Sequence, residues 1–354
     1  MKDIEFFGNI KNCENFVNAV KEKDFLFSLV ISYTSTSEIP GITIAGSDSE
    51  LVKFTAPADA EFLHYGYCKS IKSIPMTPDG KPTPALITKS ALESASIPLV
   101  VINAGSKIEP QLPFIQTGLK PGNNITQNFG LDEESFLHAI DYGRIIGRTL
   151  ASLTDCLVIG ESLPGGTTTA LAVMRGLGID AKVSSSIPKN PVELKNRIVT
   201  NALKKLDNDD PFNVVKAVGD PMIPTVAGML SSASEITKVL LSGGTQMAAV
   251  LAFAKSIGYK SENVAIGTTC YITDDTTANF LEIIKQIDDI PILVVDPKLE
   301  RSEFPGLKSF SEGFAKEGAG AGGSLIAAML KAGLDSEKLL QLTENQYKRI
   351  FTSQ

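Results

Sequence analysis

The chain of 354 residues holds only four cysteines and two histidines, has no long apolar run and gathers no cluster of basic residues. Cys13, Cys68, Cys156 and Cys270 are far apart, with no C-x-x-C pair and only His64 and His138 as co-ligands. That spacing argues against a zinc site and against a disulfide framework, and reduced, mostly buried thiols are expected. The histidines lie beside Tyr65 and Leu137, so packing or surface roles are expected of them rather than catalysis. No segment reaches the roughly 18 unbroken apolar residues of a membrane span. The opening Met1-Lys2-Asp3-Ile4-Glu5 is too acidic for a secretion signal, and a cytoplasmic location is expected. With a net charge of −7 and its lysines and arginines scattered, the chain shows no electrostatic footprint for nucleic acid or an anionic membrane surface. An anionic small substrate would have to be held by local donors.

What is present is the pattern of an α/β protein. Phe25 to Ser32, Pro98 to Ala104, Cys156 to Gly160, Ile236 to Ser242, Asn263 to Ile272 and Ile292 to Asp296 are short β-rich runs, several of them continuously apolar. Continuous rather than alternating hydrophobicity marks strands covered on both faces, and helical segments between them supply the crossovers of a parallel sheet. The expected fold is a three-layer α/β/α domain with a mostly parallel, Rossmann-like sheet. Helix starts stand at Asn190-Pro191 before Val192 to Leu206 and at Asp132-Glu133-Glu134 before Ser135 to Leu153. Asn9 to Lys21 and Ser336 to Ile350 have helical spacing far from the strands. The expected division is a large domain over 24–320 and a small helical subdomain of 1–23 with 321–354. Ile39 to Leu86, rich in Pro, Gly, Ser and Thr, gives no clear assignment, and Asp207 to Pro211 reads as a solvated loop between helix and strand.

Three polar turns carry the candidate chemistry. Gly160-Glu161-Ser162-Leu163-Pro164-Gly165-Gly166-Thr167 follows a strand and opens the helix Thr168 to Gly176, so free N–H groups, the helix dipole and the hydroxyls of Thr167 to Thr169 offer an anion site. Gly166 stands where a P-loop has its lysine, which disfavours an ATPase or GTPase and leaves a monophosphate cradled by backbone donors. A turn needed only for strand-to-helix packing would look the same. Ser242-Gly243-Gly244-Thr245-Gln246 repeats the arrangement after a second buried strand, and the two loops can line one crevice. Lys120-Pro121-Gly122-Asn123-Asn124-Ile125 either contacts a ligand or only reverses the chain, and Asp274-Asp275 beside Thr276 and Thr277 reads as helix capping rather than a metal site.

Glu317 opens the run Gly318-Ala319-Gly320-Ala321-Gly322-Gly323 ahead of the apolar stretch Leu325 to Leu330. Gly318, Gly320 and Gly323 fit G-x-G-x-x-G, but the preceding residues Ser309 to Lys316 are polar and broken by glycine, not the buried strand a dinucleotide fingerprint needs. A carboxylate at the mouth of a glycine turn is placed to take a proton from a substrate close to the backbone, or to cap the next helix.

In order and spacing, five stretches from Pro98 onward resemble the nicotinate-nucleotide:dimethylbenzimidazole phosphoribosyltransferase (CobT) family. Lys120 to Ile125 resembles its G-T-[RK]-N turn, Gly160-Glu161 through Thr168 its G-E-M-G-I-G-N-T-T loop, and Val218-Gly219-Asp220-Pro221-Met222-Ile223 with Ala227-Gly228 its G-G-F-E-I helix. Val239 to Gly243 with Ala248-Ala249 resembles its V-L-x-D-G strand, and Glu317 to Ala321 its G-E-G-x-G-A motif. Gly166 replaces the family's asparagine before Thr-Thr, Ser242 the aspartate before glycine, and Lys316 the glycine before the glutamate. The N-terminal signatures of bacterial members have no counterpart, which suggests a distant, archaeal branch.

The resemblance implies a phosphoribosyltransferase that moves the ribosyl phosphate of nicotinate mononucleotide to a benzimidazole-type base. Glu317 would be the general base, and the loops around Gly165 and Gly243 would hold the phosphate. Glu161, Gly165, Gly166, Thr167, Thr168, Gly243, Gly244, Thr245, Asn123, Asn124, Gly318 and Gly320 are the candidate contacts. It further implies a homodimer, with no metal and no bound cofactor. A dinucleotide dehydrogenase and a non-catalytic nucleotide-binding relative are the competing readings.

Overall fold

In the computed structural model, residues 3–45, 50–77 and 80–351 are described. β1 (Ile4–Phe7) and α1 (Ile10–Val20) lead to β2 (Phe25–Ile31); α2 (Thr55–Tyr65) and α3 (Ala85–Ser94) precede β3 (Leu99–Asn103) and β4 (Ile115–Gln116). α4 (Glu133–Ala151) enters β5 (Cys156–Ser162), and α5 (Gly166–Gly176), α6 (Val192–Leu203), α7 (Pro211–Val218) and α8 (Met222–Ala233) separate it from β6 (Lys238–Ser242). Then come α9 (Thr245–Ile257), β7 (Val264–Thr269), α10 (Cys270–Thr273), α11 (Phe280–Ile287), β8 (Ile292–Val295), α12 (Pro305–Lys308), α13 (Ala321–Ala332) and α14 (Ser336–Phe351).

The eight strands form one sheet in the order β1-β8-β7-β6-β5-β2-β3-β4, parallel throughout except for the antiparallel edge pair β1 and β8. This is the expected mostly parallel sheet between two helical layers. The continuously apolar strands divide their side chains between two cores. Leu157 and Ile159 of β5 face the layer of α4 to α9 and α11, while Cys156 and Val158 face the layer of α1 to α3, α13 and α14. All four thiols are free, Cys13 and Cys156 buried and Cys68 and Cys270 half-buried. No helix among the described residues is long and apolar enough to cross a membrane.

Several elements differ from the sequence reading. Ile4–Phe7, unread as a strand, pairs with β8 just ahead of α1, so the N-terminal segment is not remote from the sheet. The run expected as one strand to Ile272 ends at Thr269, whose N–H and hydroxyl go to Glu317 Oε2 and the Lys316 carbonyl instead of a neighbouring strand. The acidic run before Pro211 joins helix to helix, and Asp210 caps α7 by accepting from Asn213 N. In the unassigned segment, positions 46–49 and 78–79 lie outside the described residues; α2 and the start of α3 occupy much of the rest. Buried Glu61 of α2 ties surrounding loops down, accepting from the amides of Lys69, Ser70 and Gln111. A separate helical subdomain of 1–23 with 321–354 is a proposal. α13, which opens its second half, packs on β5 to β8 and on α3, and α14 packs on α3.

α4 starts where its sequence directs, with Asp132 accepting from Ser135 N at 2.7 Å. It then crosses α8 at a glycine contact: a Cβ on Gly143 would fall 2.2 Å from the Thr225 carbonyl oxygen, and one on Gly147 would fall 2.4 Å from that of Met229. Helix propensity alone would favour alanine at Gly147 by about 1 kcal/mol. Overpacking of this kind costs about 1–3 kcal/mol. Gly147→Ala should therefore destabilise the protein in urea or thermal unfolding. A variant more stable than the parent by about 1 kcal/mol, the propensity gain alone, would show that the two helices can part without cost.

Candidate active site

The strand order reverses between β2 and β5, and in open α/β sheets the crevice beyond the carboxyl ends of the strands at such a point is where ligands bind. A cavity of about 1020 Å³ lies there, bounded by the loops after β5 and β6, by α2, by the residues leading into α3 and by Lys316 to Ala319. That is at the upper end of the about 300–1,000 Å³ typical of ligand sites.

Both glycine loops reach it. Gly165 precedes α5 at φ 75°, and a Cβ there would sit 2.8 Å from that of Ser37, so backbone conformation and packing both require glycine. Neither α5 nor α9 has a side-chain cap, and Gly165 to Thr167 and Gly244 to Gln246 line the cavity. The first-turn N–H groups of two helices thus present partial positive charge to one space.

Glu317 is placed by its glycines. A Cβ on Gly320 would lie 2.7 Å from the Phe27 ring and 3.1 Å from Gly160 Cα; one on Gly322 would lie 2.3 Å from the Thr268 carbonyl carbon, and one on Gly323 2.3 Å from Ser242 Oγ. The start of α13 therefore rests closely on β5, β6 and β7, with the Phe27 ring and the Ser242 hydroxyl at the contact. Ser242 Oγ and Thr88 Oγ1 donate to the carbonyls of Gly320 and Ala319, which fixes the turn. Glu317, at the cavity edge of this turn, accepts from Gly322 N at 3.1 Å, Thr269 N at 3.2 Å and Gly318 N at 3.3 Å. Burial pushes its carboxyl up to about 7 against the lowering effect of those N–H groups. One geometry thus caps α13 and poises a base. The G-x-G-x-x-G reading fails on context, since residues 309–317 form turns and no strand.

Two further carboxylates share the cavity. Glu161, next to last in β5, is 4% exposed; burial, then the charges of Asp220, Glu317 and Asp59, raise it to about 8. Gln246 Nε2 donates to it at 2.9 Å. Asp59 of α2 accepts from Ser162 Oγ at 2.7 Å and Thr83 Oγ1 at 2.8 Å; burial raises it to about 6 despite those hydroxyls. Asp220 lies behind them, holding the start of α8 through Met222 N and Ile223 N.

Positive charge collects at another edge. Lys316 Nζ lies 2.7 Å from Asp275 Oδ2, which also accepts from Ser184 Oγ at 2.6 Å. Burial works against the charged form of Asp275, but the bonds from Lys316, Ser184 and Thr277 outweigh it and hold the group at about 2. Asp275 therefore does more than cap. Buried Lys195 of α6 donates to the Ser184 carbonyl at 2.7 Å; burial and the neighbouring Lys316 lower it to about 7. Ser184, Ser185, Ser186 and Lys316 line the cavity.

Of the residues singled out in sequence, Glu161, Gly165, Gly166, Thr167, Gly244, Thr245, Glu317 and Gly318 line this one space. Thr168 is fully buried behind it, Gly243 donates its amide to the Gly267 carbonyl, and Gly320 is spent on packing. Asn123 and Asn124 lie outside the cavity lining: Asn123 Nδ2 donates to the Phe129 carbonyl, and Asn124 Oδ1 accepts from Thr126 N. Sequence reasoning missed Asp59, Thr83, Lys195 and Ser184 to Ser186. Gln246 closed a quoted motif without being read as part of the site.

A phosphoribosyltransferase family model, DBI_PRT, matches residues 90–271. The chain is 45% identical to a UPF0284 protein of Archaeoglobus fulgidus, covering 92% of this chain and 93% of that one. It is 42% identical to a UPF0284 protein of Sulfolobus acidocaldarius, over 95% and 99% of the two chains. It is 40% identical to a UPF0284 protein of Methanothermobacter thermautotrophicus, over 92% and 94%. Its fold is similar to the crystal structure of a nicotinate-nucleotide-dimethylbenzimidazole phosphoribosyltransferase from Thermus thermophilus, with a TM-score of 0.64 at 16% identity over 94% of this chain and 88% of that one. A structure of CobT from the same organism gives a TM-score of 0.61 at 15% identity, covering 94% and 89%. The chain belongs to the CobT-type phosphoribosyltransferase family, alongside archaeal UPF0284 proteins.

Proposed function

We propose that the protein transfers the 5-phosphoribosyl group of nicotinate mononucleotide to a benzimidazole-type base, giving an α-ribazole 5′-phosphate and nicotinate for cobamide lower-ligand assembly. The observation that carries this reading is Glu317, held by three backbone N–H groups at the edge of the cavity with its carboxyl raised to about 7. A ring nitrogen of the base attacks C1′ with its lone pair, and the C1′–N bond to the pyridinium breaks with its electrons going to the nicotinate ring nitrogen. The other ring nitrogen of the nucleophile gives its proton to Glu317. Carboxylates at Glu161 and Asp59 face the positive charge of pyridinium and oxocarbenium. The 5′-phosphate takes the uncapped starts of α5 and α9 and the edge of Lys316 and the serine loop. The chemistry asks for neither metal nor cofactor, since the pyridinium is already a good leaving group and the protein's part is positioning.

Incubation of the protein with nicotinate mononucleotide and a panel of bases, followed by chromatography and mass analysis, should reveal an α-riboside phosphate. Glu317→Gln should lower its formation about 10²- to 10⁴-fold, and the parent rate should rise with pH in two limbs, through about 7 as Glu317 and about 8 as Glu161 lose their protons. No nicotinate release with any base from folded protein would leave a nucleotide-binding relative as the better reading.

The carboxylates also set a pH dependence of stability. Glu161 titrates near 4.5 when solvated and about 8 when folded, so its favourable contribution is complete below 4.5 and is lost as pH rises through 8. Melting temperature of the ligand-free protein should fall across that window, and Glu161→Gln should flatten the fall. Equal slopes for the two proteins would mean that Glu161 is not the buried acid described here.

A further inference from the structure

Gly166 is a glycine because another residue has taken its place. A Cβ built on it would fall 1.8 Å from Gln246 Oε1 and 2.7 Å from Gln246 Cδ. The Gln246 amide, coming from the first turn of α9, therefore fills the space into which a side chain at the start of α5 would project. Its Nε2 is committed to Glu161 Oε1, which sets the orientation of the amide. Its Oε1 is buried and accepts no hydrogen bond from the described residues, although Gln246 lines the cavity. One end of this half-buried amide is bonded to a carboxylate of the site, and the other, a buried oxygen, lacks a donor. At neutral pH the only hydrogen-bond donors on nicotinate mononucleotide are its two ribose hydroxyls; its phosphate, carboxylate and ring have none.

We infer that Gln246 positions Glu161 for the reaction and that its Oε1 accepts a hydrogen bond from a ribose hydroxyl of the bound nucleotide. α9 thus supplies from position 246 the amide that the related motif carries as asparagine at the position of Gly166. The inference deepens the proposed transferase reaction and rests on it. Gln246 acts through Glu161 and the ribose, not on the reacting bond.

The test is a swap of the two positions, read by nicotinate release and by melting temperature. Gln246→Ala should lower kcat/KM about 10- to 100-fold, the scale of a lost hydrogen bond to a charged group. It should also move the Glu161 limb of the pH–rate profile upward, because an N–H donor that favours the ionised carboxyl is gone. A merely structural role would leave that limb in place. Gly166→Asn alone, which sets the two amides in one space, should lose both stability and activity. Gly166→Asn combined with Gln246→Ala should recover kcat/KM to within about tenfold of the parent, the low end of that same single-bond scale, and bring the limb back. An unmoved limb in Gln246→Ala, or a folded double variant no better than the poorer single one, overturns the inference. If the parent releases no nicotinate with any base, it is the transferase reading that has failed. Melting temperatures of the four proteins then judge the shared space: recovery in the double variant supports it, and additive losses sink it.

Discussion

Glycines let the backbone of residues 320–323 lie close against β5, β6 and β7, and the placement of Glu317 follows from that contact. A sheet and a helix usually meet through the side chains of their apolar faces. Here glycines on both surfaces, Gly160 and Gly267 in the strands and Gly320, Gly322 and Gly323 in the turn and helix, remove that spacer. Without it the turn can hand Glu317 to the amide of Thr269, a group freed because β7 ends there. One side chain added along this seam would lift the helix and take the carboxylate with it. The glycine run, which in sequence suggests a ligand-cradling loop, serves first to lower a helix onto a sheet.

The second feature of the site is its cost. Asp59, Glu161 and Glu317 are all raised by burial, and Glu161 is raised further by its neighbours. Crowded carboxylates weaken a ligand-free fold, and such local conflicts tend to stand at functional sites. A positively charged reaction centre is what these groups lack. At the opposite edge Lys316 is paired with Asp275, and Lys195 lies behind the Ser184 loop, where burial and Lys316 disfavour its charge.

The sheet was legible in the sequence because its strands are buried on both faces and so are continuously apolar. β1 and β4 were not, being four and two residues long at the two edges. Glu317, Glu161 and the two glycine loops could be found because each stands at a strand end or beside glycine. Asp59 could not. It comes from a helix inside a Pro- and Gly-rich segment, and nothing local distinguishes it from Glu61, two residues on, which only ties down loops. Lys195 reads as one more lysine on an amphipathic helix until α6 is folded against the Ser184 loop. Asn123 and Asn124 were read as ligand contacts, yet polar side chains in turns are as readily spent on their own backbone.

The edge pair of β1 and β8 brings together residues 4–7 and 292–295, and Gly320 rests on Gly160. Both are contacts between stretches of chain that leave the ribosome far apart in time. β2 and β3 can pair before β5 has emerged, but Glu317 has no seat until the strands on which α13 rests are in register. Folding of the scaffold and seating of Glu317 are therefore separate events in the life of a nascent chain, with long-range closure as the slower of the two. A partly synthesised molecule would carry an open crevice with Asp59 and Glu161 already in it and Glu317 still to come.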